Sequence, residues 1–471
     1  MASINEFNDN GKQFTDRIRN FFSSYKIGQK LKESGAYKKA GIPAVEIMKY
    51  LVALVFTKKS MYMNYRNGTN HPGFEKDAVY DFLNSRFINW AVFLLKLAVA
   101  VIIPIRKATS EDRLCAMVID DSLFERARSK KVELLARVRD SSTKAGKKFT
   151  RGFRLLTLGW TDGVTFIPLM FRHLSSKDIK NRYCEANQNI DKRSCGYKAR
   201  KQAVSTATEV LLWMLAKACR FMVPARYVLY DSWFSYPSTM ISILKMKLHS
   251  VGRLKNTTKI KYLVSGKAMT LREIYRANHK RRGRSKYLLS VQVELYNKEN
   301  ETADAKIVFV RNRNKRNDWI AICTTDIKME EEQVIALYGK RWDIEVFFKV
   351  CKSYLQLCGG SQGLSYDSVT AHTAAVMVRY TMIASDKRIN EDHRTITEMF
   401  HSLYDEMPDV SFPLAMELIM ECLRDAFDEF LFLPDNVVNG IIDSFVDKLT
   451  HVFKQYFCGY LEPNNPLCAS A

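Results

Sequence analysis

Apolar residues change their spacing along this chain near residue 112, and the change predicts two kinds of architecture. From about residue 12 to residue 105 they recur at helical intervals. Ala44–Phe56 reads as a strongly apolar helix started by Pro43, and Glu75–Leu83 as a shorter amphipathic one. Pro72 and the polar stretch Asn67–Asn70 separate them. Ile88–Ile105 is the one membrane-like run, interrupted by Asn89 and Lys96 and expected to end at Pro104. A central lysine and a length near the minimum for a bilayer make it a buried core helix rather than a membrane span.

Beyond Asp112 the apolar runs become short. Leu114–Ile119 and Tyr227–Tyr230 have the pattern of strands buried on both faces. Phe153–Trp160 and Val164–Phe171 flank Thr161-Asp162-Gly163, a hairpin signal, and Ala203–Cys219 reads as a helix. Strand patterns return at Leu288–Leu295, Lys306–Val310 and Trp319–Cys323, linked by charged loops. A long helix over Glu331–Leu355 follows, and from Ser368 onward the chain is helical and increasingly acidic. The expected fold class is multidomain α/β. Residues 1–110 form a helical N-terminal domain suited to reading DNA. A core split between 111–254 and 327–370 is interrupted by a β-rich segment over 255–326, and 371–471 form a helical C-terminal domain, a candidate for dimerisation.

Charge narrows the function. The 471 residues carry a formal charge of +23, yet 391–450 holds 14 acidic against 3 basic residues, a local balance of −11. The remaining residues therefore carry +34, with basic runs at Lys144–Lys148, Lys198–Lys201, Lys280–Lys286 and Arg311–Arg316. Such a surplus favours a polyanionic partner, nucleic acid before membrane. The ten cysteines form no CxxC pair and have no histidines at zinc spacing, which suits reduced thiols in the cytoplasm. Met1–Arg19 is polar and lacks the apolar run of a signal peptide.

Carboxylates supply the candidate chemistry. Asp120 and Asp121 follow the apolar run Cys115–Ile119, and Asp231 follows Tyr227–Tyr230. An aspartate at the carboxyl end of a buried strand lies where open α/β folds place their ligands, although each alone also suits a turn or a helix cap. The segment Tyr338–Lys352 is more specific. On a continuous helix turning about 100° per residue, Tyr338, Arg341, Glu345 and Lys352 fall within an arc of about 60°, with Lys349 beside them. Ile344, Phe347, Cys351 and Leu355 fall on the opposite, core-facing side. Three carboxylates and a cationic face suit phosphodiester cleavage, in which two metal ions about 4 Å apart stabilise the attacking and leaving oxygens. Hard oxygen donors select Mg²⁺, Arg and Lys hold phosphates, and no small-molecule cofactor is required.

These residues resemble the bacterial cut-and-paste transposases of insertion-sequence family four, which carry a DDE triad. Tyr338, Arg341, Glu345 and Lys352 match that family's Tyr-x2-Arg-x3-Glu-x6-Lys signature. Ile119-Asp120-Asp121-Ser122 is similar to its first motif, with Ser122 in place of the usual Thr, and Tyr230-Asp231-Ser232-Trp233-Phe234 to its second. The likeness runs from about Leu114 to Thr370 and includes Gly159–Gly163 and Gly252–Lys255. It implies an RNase H-like core and a triad of Asp121, Asp231 and Glu345 holding two Mg²⁺ ions, with Mn²⁺ able to substitute and Asp120 as the reserve first carboxylate. It also implies double-stranded DNA as partner, both the terminal inverted repeats and the target, a homodimer assembled on two DNA ends, no membrane, and a cytoplasmic, nucleoid-associated enzyme. Tyr338, Arg341, Lys349, Lys352, Arg253 and Lys255 become candidate DNA contacts, and Trp319 a candidate for stacking on a flipped base. Three rivals follow in order: an RNase H-like nuclease or resolvase without strand transfer, a DNA-binding relic that has lost catalysis, and a basic membrane-surface protein, for which three carboxylates would have no use.

Overall fold

Short apolar runs separated by turns can bury both faces only inside a sheet covered by helices, and they do so here. The computed structural model describes residues 16–37, 40–57, 72–140, 149–281, 285–312 and 318–399, with 61, 62 and 65. All of these lie in one compact unit, Thr15–Tyr404. The basic run Lys144–Lys148, most of Arg311–Arg316, part of Lys280–Lys286 and the acidic residues beyond 399 fall outside the described residues.

One eleven-stranded mixed sheet organises the unit. Its strands are β1 (Ala116–Glu125), β2 (Ala136–Arg139), β3 (Phe149–Thr161), β4 (Phe166–Leu174), β5 (Tyr227–Tyr230), β6 (His249–Arg253), β7 (Tyr262–Val264), β8 (Lys267–Met269), β9 (Leu289–Tyr296), β10 (Thr302–Arg311) and β11 (Trp319–Thr324). Spatially they run β2-β3-β1-β5-β6-β11-β10-β9-β7-β8, with β4 also on β3. Only β1–β5 and β5–β6 pair in parallel. The remaining pairs are antiparallel, including β11 on β6, so the strand-rich segment after residue 255 extends the same sheet. Every residue of β4 and β5, and Ala116–Ile119 of β1, is buried, which requires cover on both faces.

Helices supply that cover. In chain order the first are α1 (Ile27–Glu33), α2 (Ala44–Ala53), α3 (Lys76–Leu83) and α4 (Trp90–Lys107). Next come α5 (Cys195–Ala203), α6 (Ala207–Arg220), α7 (Pro237–Lys245), α8 (Leu271–Ala277), α9 (Glu331–Gly339), α10 (Trp342–Ser353) and α11 (Tyr366–Ile389). Helices α4, α6 and α11 pack on β4. No described helix is long and apolar enough to cross a membrane. The apolar run at Ile88–Ile105 is α4, capped by Asn89, whose side chain accepts from Val92 N at 3.2 Å. Lys96 pairs with Glu33 at 2.5 Å. The helix runs past Pro104 to Lys107, because proline removes only its own N–H bond while Ala108 N still donates to Pro104 O. The single helix expected over Ala203–Cys219 begins instead at Ala207, where Thr206 and Glu209 form a reciprocal capping box and α5 ends at Ala203.

Two buried arginines tie the layers together. Arg379 on α11 donates to Val52 O at 3.2 Å and Leu355 O at 3.1 Å, and also to Leu51 O, so it closes the end of α2 against α11. Arg200 on α5 grips Glu133 through Nε and Nη2 (2.6 and 2.7 Å) and Asp367 through Nη1 and Nη2 (3.0 and 2.7 Å). Burial would push the Glu133 carboxyl up, but Arg200 and the N–H groups of Tyr366 and Asn187 hold it below its ordinary value. Removing the arginine strands two buried carboxylates. We expect Arg200→Met to lower stability by about 3–5 kcal/mol in urea unfolding; a loss below about 1 kcal/mol would show that solvent reaches the pair.

Candidate active site

The parallel pairs fix the site. Ile119 of β1 lies beside Tyr230 of β5, and Tyr230 beside Gly252 of β6, and each is the last residue of its parallel pairing. Residues in register in a parallel ladder share a face, and the next residue along each strand turns to the other. Ile119 and Tyr230 point into the core and are fully buried. The following residues, Asp120, Asp231 and Arg253, therefore emerge together on the opposite face. A Cβ on Gly252 would stand 2.3 Å from the Tyr230 ring, so glycine is what lets β6 approach.

The alternation separates the two neighbouring aspartates. Asp121 Oδ2 is bound by Arg154 Nε. Arg154 lies opposite Leu123 on β3, two residues along from Asp121, and thus on Asp121's face. Asp120 faces the other way. Its Oδ1 accepts from Asp121 N at 2.8 Å and its Oδ2 from Arg341 Nη1 at 3.3 Å. Contrary to expectation, both aspartates lie within β1 rather than after it, since β3 continues to pair with β1 as far as Glu125 after β5 has ended.

The helix carrying Arg341 and Glu345 is also not continuous. It breaks after Gly339 into α9 and α10, joined through Lys340 and Arg341 by bonds of three-residue span: Lys340 N to Leu337 O, Arg341 N to Tyr338 O, Asp343 N to Lys340 O. Glycine weakens the helix there, and side chains pin the joint. Lys340 Nζ donates to Leu114 O at 2.8 Å and Asp162 O at 3.1 Å, and Thr161 Oγ1 donates to Asp343 Oδ2 at 2.6 Å. Asp162 is itself held in the β3–β4 turn, accepting from Val164 N and Thr165 N, with Gly163 at φ 90°. Ile344, Phe347, Cys351 and Leu355 are buried beneath.

Arg341 consequently bridges the sheet and the helix. Besides Asp120 it binds Glu345 Oε1 through Nη2 at 2.5 Å, and its guanidinium lies 5.7 Å from the Tyr338 ring centre. Burial pushes the Asp120 carboxyl up to about 7; the charges of Asp121 and Asp231 add to the rise, while the Asp121 N–H and Arg341 oppose it. Burial likewise raises the Tyr338 phenol, with Asp231 adding and Arg341 and Arg253 opposing. Asp120, Asp231, Arg253, Tyr338, Arg341 and Glu345 thus form one cluster. Among the described residues no three carboxylate, histidine or cysteine groups converge on a single point as a finished metal site, because Arg341 stands between Asp120 and Glu345.

The other expected residues sit on elements of their own. Lys349 and Lys352 are exposed on α10, and Lys255 is exposed just past β6. Trp319 at the start of β11 is partly buried, stacked on Tyr275 at 5.1 Å and edge-on to Phe309 at 5.0 Å. Sequence reasoning missed Arg154 and Lys340. Both are single basic residues whose partners lie far along the chain, so only the strand pairing and the helix break make them visible.

Asp120 generates a pH prediction. Its carboxyl rises from an ordinary value of 3.8 to about 7 on folding, so the folded state binds its proton more tightly. Stability from this group is therefore full below pH 3.8 and is lost as pH rises through about 7. Asp120→Asn should raise Tm at pH 8, by the equivalent of roughly 1–4 kcal/mol, and change it much less at pH 5. Equal shifts at both pH values would disprove the linkage.

Comparison with known proteins gives this geometry a family. A sequence profile described as DDE superfamily endonuclease matches residues 47–290, just over half of the chain, while no curated protein matches it. The matched span contains Asp120, Asp121 and Asp231 and stops before Glu345, which the fold alone brings to the same cluster. The chain belongs to the DDE superfamily endonucleases, enzymes that act on DNA.

Proposed function

We propose that this chain is the cut-and-paste transposase of an insertion sequence, of the family-four type, which cleaves DNA at terminal inverted repeats and joins the freed ends to a target. The proposed triad is Asp120, Asp231 and Glu345, with Asp120 in the role expected of Asp121. The observation carrying this reading is the register Ile119–Tyr230–Gly252, which turns Asp120 and Asp231 to one face, where Arg341 links Asp120 to Glu345. The strand order β4-β3-β1-β5-β6, with β1, β5 and β6 parallel, supports an RNase H-like core.

The donors are all carboxylate oxygens, which suits Mg²⁺ or Mn²⁺. Two such ions would stabilise the attacking and leaving oxygens of the phosphodiester. Asp120, Asp231 and Glu345 would hold them. Arg341, released from its two carboxylates, would turn to a DNA phosphate, and Tyr338 would donate a hydrogen bond to another. Arg253, Lys255, Lys349 and Lys352 would track the flanking backbone and make binding fall steeply with salt. A homodimer holding two ends, with the C-terminal residues as its interface, completes the proposal.

The test is cleavage of DNA carrying the element's ends with Mg²⁺. Asp120→Asn, Asp231→Asn and Glu345→Gln should each lower cutting by a factor of about 1,000 or more with end binding retained. Asp121→Asn should keep at least about a tenth of wild-type activity. Loss in Asp121→Asn with cutting by Asp120→Asn would reverse the assignment. Cutting without joining to a target plasmid would make the chain a nuclease or resolvase, and binding without cutting by the wild type would make it a relic.

A further inference from the structure

Three arginines stand in line across the sheet at the far end of β1. Arg137 of β2 lies directly opposite Arg151 of β3. On the other side of β3, Arg126 follows the last residue of β1 and continues its pairing, donating its N–H to Arg151 O at 2.8 Å. Residues directly opposite in an antiparallel pair project from the same face. Arg126, Arg151 and Arg137 therefore form one row over three neighbouring strands. Arg126 stands six residues beyond Asp120 (126 − 120), an even number, so the row is on the face of Asp120 rather than of Asp121.

Such a row costs free energy, because like charges set directly opposite each other repel. Among the described residues no carboxylate pairs with any of the three. Arg126 Nη1 donates to Ser361 O at 2.5 Å, but its Nε and Nη2 are closed off from solvent without a partner. Arg151 Nη1 donates to Ser129 O at 3.4 Å. Aromatic rings back the outer two: the Arg151 guanidinium lies 4.9 Å from the Tyr183 ring centre, and that of Arg137 4.2 Å from the Phe149 ring centre. Both rings are exposed, at 48% and 44%. Stacking occupies the flat face of a guanidinium and leaves its N–H edge free. That edge is what grips a phosphate with two hydrogen bonds. A lone surface cation is satisfied by water, whereas three aligned ones, with one shut away from water, call for a polyanion laid across them.

We propose that Arg137 and Arg151 bind the phosphate backbone of the DNA duplex held at the carboxylate cluster, with Arg126 beside them as a buried charge that strengthens the attraction. The inference rests on the DNA-cleaving reading of the cluster and goes beyond the cations already placed near it. Six residues of strand span about 20 Å, which along a duplex corresponds to about six base pairs. The row is thus a second point of attachment, well away from the cut bond, and it sets the direction in which the duplex leaves the carboxylates.

The test is a double-mutant cycle between protein and DNA, read as binding by the full chain carrying Glu345→Gln. The probe is a duplex spanning the element's end, in which single phosphates are replaced one at a time by uncharged methylphosphonates. Arg137→Gln and Arg151→Gln should each weaken binding of the unmodified duplex about threefold to tenfold. Each should also lower the slope of log affinity against log salt by about 1. Replacing a phosphate about five to eight base pairs from the cut should weaken binding by a similar factor, but by less than about twofold once Arg137→Gln is present. Because it relieves repulsion, Arg137→Gln should leave the Tm of the DNA-free protein unchanged or raised, whereas loss of a purely structural contact would lower it. An unchanged salt slope, no phosphate coupled to either arginine, or coupling found only with a target duplex would each overturn the proposal. Failure of the underlying reading would appear separately, as a wild-type chain that binds the unmodified duplex in Mg²⁺ without cutting it.

Discussion

A parallel ladder buries both of its faces, so a polar side chain can enter the site only where the ladder stops. Val118, Ile119, Val228, Leu229, Tyr230 and Val251 leave no room for charge along β1, β5 and β6. Because parallel pairing on β5 ends at one level, the residues after Ile119, Tyr230 and Gly252 leave the core side by side. A slip of one residue would exchange Asp120 for Asp121 and place the remaining carboxylates against Arg154 and an apolar face. The register is thus the constraint from which the site's composition follows, and Gly252 protects it by admitting the Tyr230 ring.

Gathering carboxylates at the edge of an apolar core carries an electrostatic cost, visible in the raised Asp120 carboxyl. Arg341 answers it from the helical layer. Burial would weaken its charged form, but Tyr338, Glu345 and Asp120 together more than restore it. The arginine can reach both carboxylates because the helix breaks where it does. Lys340 is pegged to carbonyls just before β1 and in the β3–β4 turn, and Asp343 to Thr161 at the end of β3. Those three bonds fix the joint ahead of α10 and its first turn to the residues leading into β1, which carries Asp120, and to its neighbour β3, so sheet and helix cannot drift apart without breaking them.

Much of this was legible in the sequence. The buried runs of β1 and β5, the β3–β4 hairpin, the three strands after residue 288 and the core face of α10 all follow from apolar spacing. What escaped depends on long-range pairing. Asp120 and Asp121 are indistinguishable by type, and motif likeness favoured the second. Asp120 follows Ile119 as immediately as Asp231 follows Tyr230, and aligning the two buried runs end to end places Asp120 and Asp231 at one level. The break at Gly339 was signalled by the glycine, but a wheel drawn through it still grouped Tyr338, Arg341 and Glu345, since Lys340 and Arg341 keep right-handed helical angles. Arg154 lacked a local signal altogether, because its partner lies 33 residues away across a strand pair.

The strand-rich segment between Asp231 and Glu345 takes on a mechanical meaning in this arrangement. It joins the sheet through β11 on β6, where Ile322 pairs with Arg253 and Leu254 N donates to Ala321 O at 2.8 Å. Strand β6 therefore has two attachments: one edge lies against β5, which leads to Asp231, and the other against β11. Arg253 and Lys255 emerge where those attachments meet. Backbone hydrogen bonds therefore join β9–β11 directly to the strand that ends in Arg253. Since the interior of such a sheet is close-packed and moves as a unit, the segment's position sets the spacing between the basic residues and the acidic row.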